Sequence, residues 1–206
     1  MGTLQVGGTT LGTKKTSTNK IELENSFLKE SGSIVQVQST QLTTSASTTL
    51  SVASTDYVVM NGTATGTGSG FLDVNITPKI AGSKIWLQCN WMGEFSNQTM
   101  ANNGMFFFWR DTTKLGNTES SPGSRLIGIS PPTLSYSTSD PNSTPEHCFF
   151  QYFDTHGISA GTEIIYKLGF VTNLTGTVYT NRTGADINTG DYERGVSSLV
   201  AIELAP

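Results

Sequence analysis

Short stretches of alternating apolar and polar residues, each closed by turn-forming residues, constrain this chain more than any other feature. In residues 72–76, leucine, valine and isoleucine alternate with aspartate and asparagine, and Pro78 follows two positions later. A period of two places alternate side chains on opposite faces of a β-strand, and proline closes such a strand. Residues 85–91 repeat the pattern after the turn at Gly82. These two stretches are therefore predicted to pair as a hairpin.

Five more stretches have the same character and are bounded by glycine, asparagine, aspartate or proline. They are residues 105–110, 147–153, 164–171, 177–182 and 197–204. No helical periodicity separates them, so the pattern predicts an all-β fold, an antiparallel β-sandwich or barrel, and the sandwich is the form we expect. With 206 residues the chain is long enough for one sandwich and an appendage.

The pattern changes at Ile34. From there Val35 and Val37 alternate with glutamines, which is typical of a strand with one dry face, whereas residues 1–33 show no sustained period. The sequence thus predicts two parts: an extended N-terminal attachment arm, 1–33, and a β-sandwich head domain, 34–206.

Composition excludes several classes of partner. Charged residues make up 14% of the chain and the formal net charge is -4, so no basic surface is available to neutralise the phosphates of a nucleic acid. No run approaches the roughly 18 apolar residues of a membrane span. Cys89 and Cys148 are too few for a disulfide framework, and both lie in apolar stretches. They are predicted to be buried, reduced thiols, with a disulfide as the alternative.

Two strands carry large rings on both faces, at residues 105–109 and 149–153. Burying one phenylalanine is worth about 2 kcal/mol, so exposed outward rings would favour association. We therefore predict that a partner subunit covers them. The candidate subunit-interface residues are Phe106, Phe108, Phe150 and Tyr152. The alternative is that the arm or the loop 115–146 folds back over these rings.

The sequence predicts no catalytic, cofactor-binding or metal-binding residue. Asp154 and His156 lie close together in a turn, which rarely produces catalytic geometry. His147 and Cys148 lack the paired spacing that brings metal ligands together.

Aromatic residues raise the question of carbohydrate binding. Trp86, Trp91 and Trp109 could stack on sugars, but mid-strand tryptophans favour a core or interface position. A host surface glycan is expected to contact loop residues instead. The candidates are Tyr136, Tyr192 and Phe95.

An ordered set of short motifs resembles a known family. The motifs are NITPK (75–79), GSKI (82–85), WRD (109–111) with LG (115–116), EIIYK (163–167), YTNR (179–182) and SSLVAIEL (197–204). Together they resemble small fibre-like structural proteins of tailed phages, cyanophages in particular, over residues 34–206. The chain departs from the family at residues 112–114, where a glycine-containing turn is usual, and in its long loop 117–146.

The resemblance implies a jelly-roll-like head that trimerises and a location in the virion, which is assembled in the host bacterial cytoplasm. It implies a non-enzymatic fibre or tail-associated subunit that presents loops for host attachment. A capsid decoration protein and a carbohydrate-binding adhesin module are the alternatives, and a polysaccharide hydrolase is a weaker third. The arm would bind other virion proteins. Its candidate contacts are Leu23, Phe27 and Leu28.

Overall fold

The computed structural model describes residues 30–53, 56–58, 70, 72–119, 123–133 and 143–206, together with the backbones of three short strands nearer the N-terminus. These strands are β1 (Thr3–Val6), β2 (Thr9–Lys15) and β3 (Lys20–Leu23), and they pair with one another in antiparallel order. The sequence pattern predicted no strand here, because β1 and β3 alternate over only four residues each and β2 has no apolar–polar alternation.

The head contains two antiparallel sheets. In chain order its elements are β4 (Ile34–Leu42), β5 (Ala46–Leu50), β6 (Tyr57–Val58), β7 (Asp73–Ile76), β8 (Lys84–Phe95), α1 (Gln98–Asn102), β9 (Gly104–Arg110), β10 (Thr113–Leu115), β11 (Glu146–Asp154), β12 (Ile164–Thr172), β13 (Gly176–Thr180) and β14 (Ser197–Leu204). Strands β4, β5, β8, β11, β13 and β14 form one sheet, and β6, β7, β9, β10 and β12 form the other. The predicted antiparallel sandwich is confirmed.

The strand order places β11 at an edge. The long strand β8 pairs with β14 and β13 on one side and with β11 on the other. Strand β4 lies beyond β14, so the order across one end of this sheet is β4-β14-β8-β11. In the second sheet β12 lies between β9 and the short strands β6 and β7. No helix in the described part of the chain is long and apolar enough to cross the hydrocarbon core of a membrane.

The predicted hairpin of β7 and β8 is wrong. Strand β7 pairs with β12, and β8 belongs to the other sheet. The connection between them crosses from sheet to sheet, and the buried carboxylate of Glu203 accepts the backbone N–H groups of Lys79 and Ile80 at 2.8 and 3.0 Å. A tight turn signal at Gly82 predicts a reversal of direction, but it does not specify which strand becomes the partner.

The core between the sheets contains a group of closely packed aromatic rings. The fully or nearly fully buried rings of this core are Tyr57, Trp91, Phe95, Phe106, Phe108, Phe150, Tyr166 and Phe170. Two glycines make room for rings: a Cβ on Gly169 would lie 2.3 Å from the ring of Phe107, and one on Gly104 would lie 2.2 Å from that of Phe170. Close approach of ring to backbone therefore requires glycine at both positions.

Both cysteines are free and buried. Cys89 lies opposite Phe150, and Cys148 lies opposite Trp91, so the two thiols occupy diagonal positions on β8 and β11. Diagonal cross-strand neighbours are about 7–8 Å apart, and the Cα atoms of a disulfide usually lie within about 6.8 Å of each other. This geometry favours the reduced thiols that the sequence predicted.

Candidate functional site

Three of the four residues predicted to form a subunit interface lie inside a single subunit. Phe106 and Phe108 are completely buried and Phe150 is 5% exposed, and all three belong to the main core. The ring of Phe106 stacks against that of Phe150 at 5.5 Å, and Phe150 lies 5.0 Å from Phe108. Tyr152 is half-buried and packs against the same core. The interface prediction is therefore wrong for these phenylalanines, because their faces of β9 and β11 point inward.

The opposite face of β9 is covered by the chain itself. Phe107 and Trp109 form a second cluster with Val171, and Leu126 and Ile129 pack against it. The backbone holds this cover in place. The N–H of Ile129 donates to the carbonyl of Phe106 at 2.7 Å, and the N–H of Phe106 donates to the carbonyl of Ser130 at 2.7 Å. The alternative that the loop 115–146 folds back over the rings is thus correct for this strand.

Strand β11 does expose aromatic side chains, but in the other phase of its alternation. Phe149 and Phe153 are 57% and 53% exposed. Gln151 and His147 share their side of the strand. These two polar residues were the signal that could have identified the outward phase, since cores rarely accept unpaired polar side chains. Both phases of β11 contain aromatic residues, so the rings alone do not identify the outward phase. The sequence-based prediction named Phe150 and Tyr152, which lie in the inward phase.

Phe153 stacks against an aromatic ring of the neighbouring strand β8. Its ring lies 5.4 Å from that of Trp86, directly opposite on β8, with an angle of 12° between the planes. The indole Nε1–H of Trp86 donates to Oε1 of Gln151 at 3.1 Å, and His147 is hydrogen-bonded to Asn90. Trp86 is thus neither core nor loop. It is half-buried on an aromatic surface whose amide groups fix the ring orientations.

An apolar row crosses all four strands at this level. Val37 on β4 lies opposite Ile202 on β14, which lies opposite Trp86, which lies opposite Phe153. Val37 is 52% exposed, so the apolar side of the alternation in β4 points away from the core. We call the outward side chains of β4, β14, β8 and β11 the outer face.

The outer face carries almost no charge. Among the described residues on these four strands, the outward positions with charged side chains are Lys84, which is exposed, and Glu94, which is buried. Three carboxylates of these strands point inward and are buried: Glu146, Asp154 and Glu203. The fourth, Glu94, is buried beneath the loop after β13, where it accepts the N–H of Gly184. A surface with apolar and amide groups and a single exposed charge is suited to bind an apolar surface of another protein chain.

The residues first considered for acid–base chemistry have structural partners. Asp154 accepts from Arg110 and from the hydroxyl of Tyr166, both at 2.7 Å. His156 is 5% exposed, and its Nδ1 accepts from the backbone N–H of Ile158 at 2.9 Å, which is a turn contact. Burial lowers the pKa of His156. The ring is therefore neutral near pH 7 and stabilises the turn.

Metal-ligand geometry is not formed at the other histidine. His147 is exposed on the outer face, whereas its neighbours Glu146 and Cys148 are buried on the core side. Adjacent residues of a strand point to opposite faces, so these three side chains cannot converge on one ion. In the described part of the chain, no three histidine, cysteine or acidic side chains form a group that could hold a metal.

The three loop aromatics predicted to contact a glycan differ in their location in the structure. Phe95 is 1% exposed, so that proposal is wrong: the residue ends β8 inside the core. Tyr136 lies outside the described residues. Tyr192 lines a cavity of about 400 Å³ in the loop between β13 and β14.

The predicted arm contacts are only partly described. Leu23 is the last residue of β3, and Phe27 and Leu28 lie outside the described residues. The structure therefore neither brings these three together nor separates them. A comparison with models of known protein families finds no match to this chain, and a comparison with curated proteins finds no similar sequence.

Proposed function

We propose that this chain is a non-enzymatic structural subunit of a tailed-phage particle and that it assembles as a homotrimer through the outer face. The observation that carries the proposal is the uncharged apolar row from Val37 to Phe153 on an exposed sheet face. The ordered motifs over residues 34–206, which resemble small fibre-like phage proteins, supply the biological context.

A second copy of the chain is the partner that fits this face best. The outward surface of four strands, each about eight residues long, covers roughly 500 Å² at the usual strand spacing, and a stable interface buries about 800 Å² per partner. The face supplies more than half of that area. Each copy has a net charge of -4, so copies repel one another in general. They approach with least repulsion where carboxylates are absent, which is the outer face.

Light scattering tests the assembly. We expect the purified protein to have three times the 22.0 kDa mass of the chain at micromolar concentration. Replacing both Phe149 and Phe153 with serine should yield a monomer, since about 2 kcal/mol of apolar burial per ring is lost. The control is Ile187→Ser, which removes an equally exposed apolar side chain (52%) outside the outer face and should leave the trimer intact.

Two outcomes would contradict the proposal. A wild-type monomer at micromolar concentration would exclude the homotrimer. A trimer that survives the double serine replacement would place the interface elsewhere on the head.

The N-terminal arm is proposed to attach the head to another virion protein. Backbone hydrogen bonds join the start of the head to its end. The N–H of Gly32 donates to the carbonyl of Ala205 at 3.0 Å, and the N–H of Ala205 donates to the carbonyl of Ser33 at 2.8 Å. These bonds start two residues before β4. A clean deletion of the arm therefore ends at residue 29.

Deleting residues 1–29 should leave the trimer and its thermal midpoint nearly unchanged and should abolish incorporation into particles. The physical reason is that, among the strands that the structure describes, β1, β2 and β3 pair with one another and with none of those in the head. Light scattering, a melting curve and the protein content of purified particles provide the three readouts. Unfolding of the head, or undiminished incorporation, would refute an attachment role.

Position on the particle separates host attachment from capsid decoration. A fibre subunit presents its loops to a host, whereas a decoration protein braces the capsid shell. Both would use the same trimer. Locating the head in a density map of the whole particle distinguishes them.

A further inference from the structure

The loop between β13 and β14, residues 181–196, encloses a cavity of about 400 Å³. Its lining residues are Asp186, Ile187, Asn188, Thr189, Tyr192 and Arg194. None of them belongs to the outer face. The volume lies within the roughly 300–1,000 Å³ typical of small-molecule sites.

The base of the loop is held by a buried polar network. Asn181 is 1% exposed and adopts a left-handed backbone conformation with φ of 60°. Its Nδ2 donates to the carbonyls of Leu42 and Thr44 at 2.7 and 2.9 Å, and its Oδ1 accepts from the hydroxyl of Ser197 at 2.7 Å. The loop is therefore tied to the end of β4 although it has no regular secondary structure.

A second buried anchor comes from β8. The carboxylate of Glu94, which is 1% exposed, accepts the backbone N–H of Gly184 at 2.5 Å. Burying a carboxylate costs solvation energy, and the hydrogen bond from Gly184 offsets part of that cost while it fixes the loop. Binding loops are commonly held on a rigid scaffold by such buried contacts.

The polar wall of the cavity is arranged by two arginines around one carboxylate. Arg194 binds Asp186 in a two-pronged contact, from Nε to Oδ1 at 2.9 Å and from its NH2 group to Oδ2 at 2.8 Å. Arg182 donates to the same Oδ2 at 3.1 Å. The hydrogen bonds from Arg194 hold the pKa of Asp186 below its ordinary value. Asp186 also has a positive φ of 51°, so its backbone is held in a strained position.

The remaining groups define the chemistry of the ligand. Arg194 is 66% exposed, so its N–H groups that do not contact Asp186 are accessible as donors. Asn188 and Thr189 each supply both donors and acceptors. Ile187 and Tyr192 supply an apolar surface beside them, and Ile187 is 52% exposed. The loop as a whole has two arginines against three carboxylates, which disfavours an anion.

We propose that this cavity is a binding site for a neutral saccharide. Sugar hydroxyls both donate and accept hydrogen bonds, which matches the mixed lining, and the apolar faces of sugar rings match Tyr192 and Ile187. The inference goes beyond the structural role proposed above and does not depend on it. A monomeric head would carry the same cavity.

A glycan array with neutral and acidic oligosaccharides tests the proposal with the full-length protein. We expect neutral glycans to bind and Tyr192→Ala and Asn188→Ala each to weaken binding by about tenfold or more. The two variants should keep the wild-type melting temperature, since neither residue anchors the loop. Phe149→Ser, on the outer face, is the control that should leave glycan binding unchanged.

Three results would overturn the proposal. They are the absence of any bound neutral glycan, a preference for acidic over neutral glycans, and binding that survives both loop variants. Light scattering of the same samples keeps this test separate from the trimer. A monomer that binds neutral glycans would refute the homotrimer and support the cavity.

Discussion

Replacing Phe106 with alanine is expected to lower the free energy of unfolding by about 3–5 kcal/mol, the usual cost of removing a buried aromatic ring. Phe106 is completely buried. Its ring centroid lies 4.9 Å from those of both Trp91 and Phe170 and 5.5 Å from that of Phe150. The alanine variant would leave a cavity among three rings that cannot close it without moving both sheets.

Urea unfolding followed by tryptophan fluorescence measures this loss. Small domains have a total stability of about 5–15 kcal/mol, so the variant should unfold at a much lower urea concentration. Ile187→Ala, at an exposed loop position, should change the stability by about 0.5 kcal/mol or less. If Phe106→Ala instead left the stability unchanged and dissociated the assembly, Phe106 would be an interface residue after all.

Replacing Asp154 with alanine should have a comparable effect for an electrostatic reason. Asp154 is 3% exposed, and its two oxygens accept from Arg110 and from the buried hydroxyl of Tyr166. Burial, together with the carboxylate of Asp154, raises the pKa of Tyr166, so the hydroxyl stays protonated and donates. Removing the carboxylate leaves a largely buried guanidinium and a buried hydroxyl without this acceptor. The expected cost is about 3–5 kcal/mol.

The matched control is a surface ion pair of similar length. Asp56 contacts Lys114 at 2.6 Å, with 34% and 21% of the two side chains exposed. Asp56→Ala should cost about 1 kcal/mol or less, since exposed pairs are screened by water and salt. Both variants are compared by urea unfolding at pH 7. Equal losses would mean that burial does not strengthen the contacts of Asp154.

Local sequence pattern was sufficient to predict where most strands of the head lie. Strand β14 spans Ser197–Leu204, the stretch predicted from its alternation, and β12 extends the predicted stretch 164–171 by a single residue. The very short strands β6 and β10 were missed, because two or three residues are too few to show a period. The period of two and the turn residues are local properties, so they can be recognised in the sequence without knowledge of the fold.

Pairing and orientation depended on contacts between distant parts of the chain. The partner of β7 is β12, about ninety positions away, and no local signal at Gly82 could indicate that the chain crosses between sheets there. In β11 both phases of the alternation contain large rings, so the positions of the rings alone do not show which phase faces the core. In the folded chain, packing against β8 and the opposite sheet places Phe150 inward and Phe153 outward.

The outer face and the cavity of the loop 181–196 likewise combine features that the sequence predicts with features that depend on the tertiary structure. By itself the sequence determined the sandwich class and identified aromatic strands whose rings need cover, because these follow from residue type and spacing. The tertiary structure decided that the chain's own loop covers Phe107 and leaves Phe153 exposed. It also brought Glu94 of β8 beneath Gly184 to shape the loop cavity. These arrangements join residues far apart in the chain, and burial and hydrogen bonding between them appear only when the sheets have packed.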